Sequence, residues 1–263
     1  MRRFLWLGVA CAALALSSSA FGATKQFWFG PYDRIGEDIS GIPDLRIAME
    51  DDYGEWADVE GAFGVPSGLE LLGAAFIFAP STSPLYHVVI VSPDVTRALT
   101  GTLPLTADGS GTSPIWDRVA SGTLSYQDAA VAILTVIHEA YHYRLASTDE
   151  ARVNACALRD LPTYLSTEFQ IPQTTTVTVQ VPQTTVIQKR VPYYATVVSR
   201  KRVGGRLVTV RTRVQRYRTE SVTQTTMVSK TETQENPAFD GIVAAAQAFR
   251  DAQPPPYNSG TCF

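Results

Sequence analysis

Residues 125–145 read SYQDAAVAILTVIHEAYHYRL. Ser125 or Thr123 can cap a helix here, and Ala129, Ala130, Ala132, Leu134, Ile137 and Ala140 favour one. The pattern predicts a helix over 125–143. From Ala129 to Ile137 the run is apolar on nearly every side. A helix of that kind belongs inside a domain, with other elements packed around it.

The flanking sequence supplies those elements. Ser147-Thr148-Asp149-Glu150 has the S-x-x-E form of a capping box and opens a second helix. That helix is expected to run through Ala151, Val153, Cys156 and Leu158 and to end before Pro162. Upstream, Tyr86–Val91 is a β-branched apolar run stopped by Ser92-Pro93, which predicts a strand. Asp94–Leu99 reads as a short helix, Asp44–Glu55 as an acidic helix and Gly101–Pro114 as a loop. The fold class is α+β, with a helical core and a small sheet.

Downstream the character changes. Ile171-Pro-Gln-Thr-Thr recurs as Val181-Pro-Gln-Thr-Thr, and Val191-Pro-Tyr-Tyr keeps the ten-residue spacing. Thr and Val dominate, a strand composition. Val203-Gly204-Gly205-Arg206 is a hairpin signal. Val208, Val210, Thr212 and Val214 alternate with Thr209, Arg211, Arg213 and Gln215, so the two faces differ. Residues 171–235 therefore read as a long antiparallel hairpin arm, in which Pro182 and Pro192 are expected to interrupt or bend the strand. From Phe169 to Thr219 there is no Asp or Glu but ten basic residues, within a chain of net charge −3. An acidic body with a separate basic arm follows. Asn236-Pro237 opens a last helix, which stops before Pro254, and residues 236–263 return to the body.

Residues 1–22 have the order of an export signal. Arg2 and Arg3 come first, then the apolar run Phe4–Leu16, then small residues Ser17–Gly22. Cleavage is expected after Gly22, or alternatively after Ala20. The mature protein is expected outside the cytoplasm, without a spanning helix. Removing the leader removes Cys11 and leaves Cys156 and Cys262, which in an oxidising compartment are expected to pair. Residues 23–170 would then form the body.

The chemistry concentrates in His138-Glu139-Ala140-Tyr141-His142. Histidines four apart share one helix face and can hold one zinc ion, with Glu139 placed to take a proton from water. The chain has three histidines, and two of them fall in this motif. A zinc that does catalysis needs a third protein ligand and an open position. Glu150 is the leading candidate, with a rival reading in which, as the fourth residue of Ser147-x-x-Glu150, it simply caps its helix. Asp149 and His87 are the other candidates. Asn154 can orient a ligand from behind. Tyr141, Tyr143, Arg144 and Tyr164 are the candidates for stabilising an oxyanion.

The stretch 138–158 resembles the zincin metallopeptidases, and within them the gluzincin branch. There the third ligand is a Glu on a later helix, often followed four residues on by Asp. Here Glu150 takes that place, with Asn154 where Asp is usual and a shorter gap after His142 than in thermolysin-like enzymes. The resemblance covers residues 125–161. It implies a zincin-like core, zinc on His138, His142 and Glu150, Glu139 as general base, and a peptide or protein substrate. The alternative is a non-catalytic cell-surface or wall-binding protein with a structural or degenerate metal site. The arm suits an anionic cell wall or membrane surface, and no nucleic-acid partner is expected.

Overall fold

A computed structural model describes residues 3–5, 28–29, 32–65, 69–103, 113–255 and 257–262. The leader predicted over 1–22 lies outside the described residues, except for the backbone of Arg3–Leu5. Most of the predicted loop 101–114 also lies outside them. The chain divides into two compact units, Met1–Thr174 with Glu235–Phe263, and Thr175–Gln234.

The first unit is mixed α+β. Its elements in chain order are β1 (Arg3–Leu5), β2 (Trp28–Phe29), α1 (Asp33–Ser40), β3 (Arg46–Met49), α2 (Tyr53–Ala62), β4 (Leu69–Leu71), β5 (Gly73–Ala75), β6 (Val88–Val91), α3 (Pro93–Thr100), α4 (Ile115–Ala120), α5 (Tyr126–Leu145) and α6 (Glu150–Thr167). After the second unit's strands, β7 (Thr174–Val203) and β8 (Arg206–Glu235), it closes with α7 (Pro237–Asp251). Among the described residues its main sheet has the order β2-β3-β6-β5. β3 and β6 are parallel, while β2 and β5 run antiparallel to their neighbours. β1 pairs in parallel with β4.

Helix α5 is the axis of this unit. Ala129, Ala130 and every residue from Ala132 to Tyr143 are buried, and α1, α3, α6, α7 and β5 pack against it. The sheet is buried on both faces. Ile47, Met49, Ala75, Val89 and Val91 face the helical core. Ala48, Ala74, Val88 and Ile90 face a second cluster around Trp56, Val59 and Phe76. This is the period-two alternation of strands covered on both sides.

Two expectations are corrected. Asp44–Glu55 is not one helix. Arg46–Met49 is a strand, because Ile47, Ala48 and Met49 fill the slot between β2 and β6. The helix starts later, at Tyr53, where Asp52 accepts hydrogen bonds from the amides of Gly54 and Glu55. Nor does the helix after Glu150 stop before Pro162; α6 continues to Thr167 with that proline inside it. An internal proline costs about 3 kcal/mol. Full burial of Leu161 and Leu165 on either side offsets it, at about 2 kcal/mol each.

The second unit is a two-stranded ribbon of thirty-residue strands, about 100 Å long at strand rise. Gly204 and Gly205 close it with φ of 59° and 83°, the two positive values a type I′ turn requires. Cross-strand hydrogen bonds join Gln180 to Ser229, Thr184 to Thr225 and Gln188 to Ser221. Those pairs share one register with Val203 and Arg206 at the turn, so the pairing runs without a slip. Pro182 and Pro192 do not interrupt it. Counting from the turn, even-numbered β7 residues occupy non-hydrogen-bonded positions, where the backbone nitrogen points away from β8. Both prolines are even, so neither removes a ladder bond.

Candidate metal centre

The α5 helix ends at Ala146, whose left-handed conformation (φ 46°) turns the chain sharply into α6. The turn is short enough to bring the first residue of α6 over the last turns of α5. His138 Nε2 and His142 Nε2 lie 3.0 Å apart. The Glu150 carboxylate lies 3.0 Å from the first and 3.5 Å from the second. Donors held tetrahedrally about 2.0–2.1 Å from one zinc-sized ion stand roughly 3.3 Å apart, so these three mark three corners of such a site.

Proton bookkeeping points the same way. The Ser147 carbonyl, which only accepts, sits 2.7 Å from His142 Nδ1, so that nitrogen carries the proton. Asn154 Nδ2 donates to the Tyr257 carbonyl at 3.3 Å, which turns Asn154 Oδ1 toward His138 Nδ1 at 2.9 Å. That nitrogen too is the donor. In the neutral rings both Nε2 atoms are then lone pairs, and they face a carboxylate. Three acceptors converging at hydrogen-bond distance call for a cation. Burial holds the His138 imidazole below its usual value, against the opposing pull of Glu150, and so favours the neutral ring. Burial pushes the Glu150 carboxyl up, but positive charge at the facing imidazole nitrogens, which a proton or a cation supplies, outweighs it and brings it down to about 2.

Glu150 therefore does not cap its helix. Asp149 does, accepting from the Arg152 amide at 3.1 Å, while Ser147 Oγ accepts from the Asp149 amide. That separation frees the glutamate to face the histidines. His138, His142 and Glu150 are placed closely enough to hold a metal ion. His87 is elsewhere, stacked on Tyr86 and edge-on to Tyr143.

Glu139 lies beside this cluster, fully buried, with both carboxylate oxygens lacking a hydrogen-bond partner. The Ala75 backbone amide exerts a small pull on it without meeting hydrogen-bond geometry. Burial first, and Glu150 second, push its carboxyl well above the usual range. It reaches β5 because residue 73 has no side chain. A Cβ on Gly73 would stand 2.9 Å from both Glu139 Cγ and Thr135 Cγ2.

The four candidates for oxyanion stabilisation are engaged elsewhere. Tyr141 donates to Asp160, Tyr143 to the Val88 carbonyl, and Arg144 to the Ile39 carbonyl and the Tyr164 hydroxyl. Tyr257 is not among the residues singled out from the sequence. Its carbonyl holds Asn154, and its phenol is raised by burial and then by the Glu150 carboxylate. The Cys156–Cys262 disulfide brings it there, bridging 106 positions. Gly260 packs so closely on Ala151 that a Cβ would overlap its carbonyl. Among the described residues no helix is long and apolar enough to cross a membrane. No protein-family model, curated protein or solved structure matches the chain.

Proposed function

We propose that this chain is an exported zinc-dependent hydrolase of peptide or similar amide bonds, related in its site to the zincins. The carrying observation is the pairing of a three-acceptor cluster with a buried carboxylate that has no partner of its own. Two imidazoles and one carboxylate form a donor set typical of zinc that keeps a position open. His138, His142 and Glu150 hold the ion. Zinc there supplies a Lewis acid that acidifies water and polarises a carbonyl. Glu139, its affinity for protons raised by burial, takes the proton from the attacking water and passes it to the leaving amine. Asn154 and the Ser147 carbonyl fix the tautomers of the two imidazoles. β5 ends the sheet and lies against Glu139 through Gly73, which suits an extended peptide added along its edge. The leader pattern and the disulfide support export.

A second reading keeps the ion and drops the turnover. His138, Glu139 and His142 have no solvent exposure, and only the Glu150 side chain, at 14 %, meets solvent. Closed sites of that kind hold structural ions. Metal analysis of the purified protein, coupled to Glu139→Gln, separates the two. The hydrolase predicts one zinc per chain in both proteins and a loss of peptide cleavage of about 10²–10⁴-fold in the variant. Bound zinc with no cleavage of a broad peptide library by the wild type leaves the structural reading. Wild-type protein without zinc ends both.

A further inference from the structure

The ribbon carries a surface that the metal centre does not use. Residues 175–234 contain eleven basic and two acidic residues, within a chain of net charge −3. The ten basic residues of the segment 189–218 have no acid among them. The register sorts these residues by face. Even residues of β7 share a face with odd residues of β8. Arg190, Arg200, Arg202, Arg211 and Arg213 fall on that face, and both lysines of the segment, Lys189 and Lys201, fall on the other with Arg206, Arg216 and Arg218. The same face carries the most exposed apolar and aromatic side chains, Val186, Tyr194, Val198, Leu207, Tyr217 and Met227, with Leu207 65 % exposed. Guanidinium groups stack on two of its rings, Arg213 over Tyr194 and Arg190 over Tyr217. On the opposite face Arg218 lies over Tyr193, and apart from Val203 beside the turn its exposed apolar side chains, among them Ile187, Val208 and Val222, are more shielded.

We infer that this arginine–tyrosine face lies flat on an anionic lipid bilayer. Arginine forks match lipid phosphates in pairs, which explains a face with arginine and no lysine. Tyrosine and isolated aliphatic side chains partition at the headgroup boundary, where one end meets hydrocarbon and the other water. A soluble polyanion would satisfy the arginines but leave Val198 and Leu207 in water. A bilayer satisfies both, and an apolar stripe set among cations is how surface-lying segments bind one.

The test uses the intact protein with vesicles of phosphatidylcholine, either alone or with phosphatidylglycerol. Binding is expected only with the anionic lipid, falling as salt is raised. Replacing Arg200, Arg202 and Arg211 with Gln is expected to weaken partitioning about 100-fold, roughly fivefold per charge. Replacing Lys189, Lys201 and Arg206 on the opposite face is expected to weaken it by no more than about tenfold. The emission of a Leu207→Trp variant is expected to shift to the blue on binding. Equal losses from the two triple variants, an unshifted emission on bound vesicles, or equal binding to both lipids overturns the assignment. In the first two cases the segment binds as a non-inserting polycation, as a soluble polyanion site would.

Discussion

Glu139 is the residue whose state depends most on what sits beside it. Its carboxyl is held well above its ordinary value near 4.5 by burial. In the unfolded chain it ionises near that ordinary value. In metal-free protein the stability this group contributes is therefore fully present below about pH 4.5 and is lost as pH rises, by up to about 1.4 kcal/mol per pH unit, until the folded group also ionises. Glu139→Gln removes that slope. Melting temperatures measured in chelator from pH 4.5 to 7.5 are expected to fall more for the wild type than for the variant. A parallel fall would show that the carboxylate finds a partner. Gly73 makes the complementary prediction. Gly73→Ala places a methyl group against Glu139 and Thr135, both in the packed interior. The expected cost is about 1–3 kcal/mol in denaturant unfolding, with cleavage, under the proposed hydrolase, falling as Glu139 is displaced. The His138–His142 pair was legible because helical spacing alone sets it. Glu150 was legible only as a choice between ligand and cap, since the two roles differ by which neighbour, Asp149 or Ser147, takes the helix terminus. Gly73 was not legible, because its meaning lies in a helix more than sixty residues away.

At the scale of elements, local signals carried where the element stands on its own and failed where a neighbour decides. The Gly204-Gly205 turn, the Ser125 cap and the helix start at Asn236-Pro237 act within a few residues and appear as read. Arg46–Met49 became a strand because the sheet had a vacancy for three apolar residues there. Helix α6 ran past Pro162 because Leu161 and Leu165 are buried in the helical core. In the ribbon the lesson is parity. Proline is tolerated at even positions of β7 because those nitrogens donate nothing to β8. Thr184→Pro is thus expected to leave the ribbon intact. Gln183→Pro, one residue earlier, removes a ladder hydrogen bond and is expected to expose the flanking amides of both strands to hydrogen exchange. Equal protection in the two variants would refute the register. The outward prolines also blunt the free edge of β7, where a neighbouring strand would otherwise pair.

At the scale of the molecule, the chain's last residues are wired into its first chemistry. A disulfide closing a loop of this size is worth about 4–5 kcal/mol in the chain-entropy model. Here it also fixes the tail whose Tyr257 carbonyl sets the Asn154 amide, and through it the His138 tautomer. Cys262→Ser is therefore expected to lower both the melting temperature and the affinity for zinc, the latter about 10–100-fold and to the same extent as Asn154→Ala. Competition with a chromophoric chelator measures it. Unchanged affinity in Cys262→Ser would confine the bridge to a role in stability. The two strands of the ribbon leave and re-enter the body side by side, where Asn236 donates to the carbonyls of Gln173 and Pro172. The prolines recur at an even interval of ten, so deleting one ten-residue unit from β7 and its partners from β8 leaves every remaining proline facing outward. The reach of the ribbon is thus a modular dimension, adjustable in steps of about 34 Å while the sequence that builds the metal centre stays unedited.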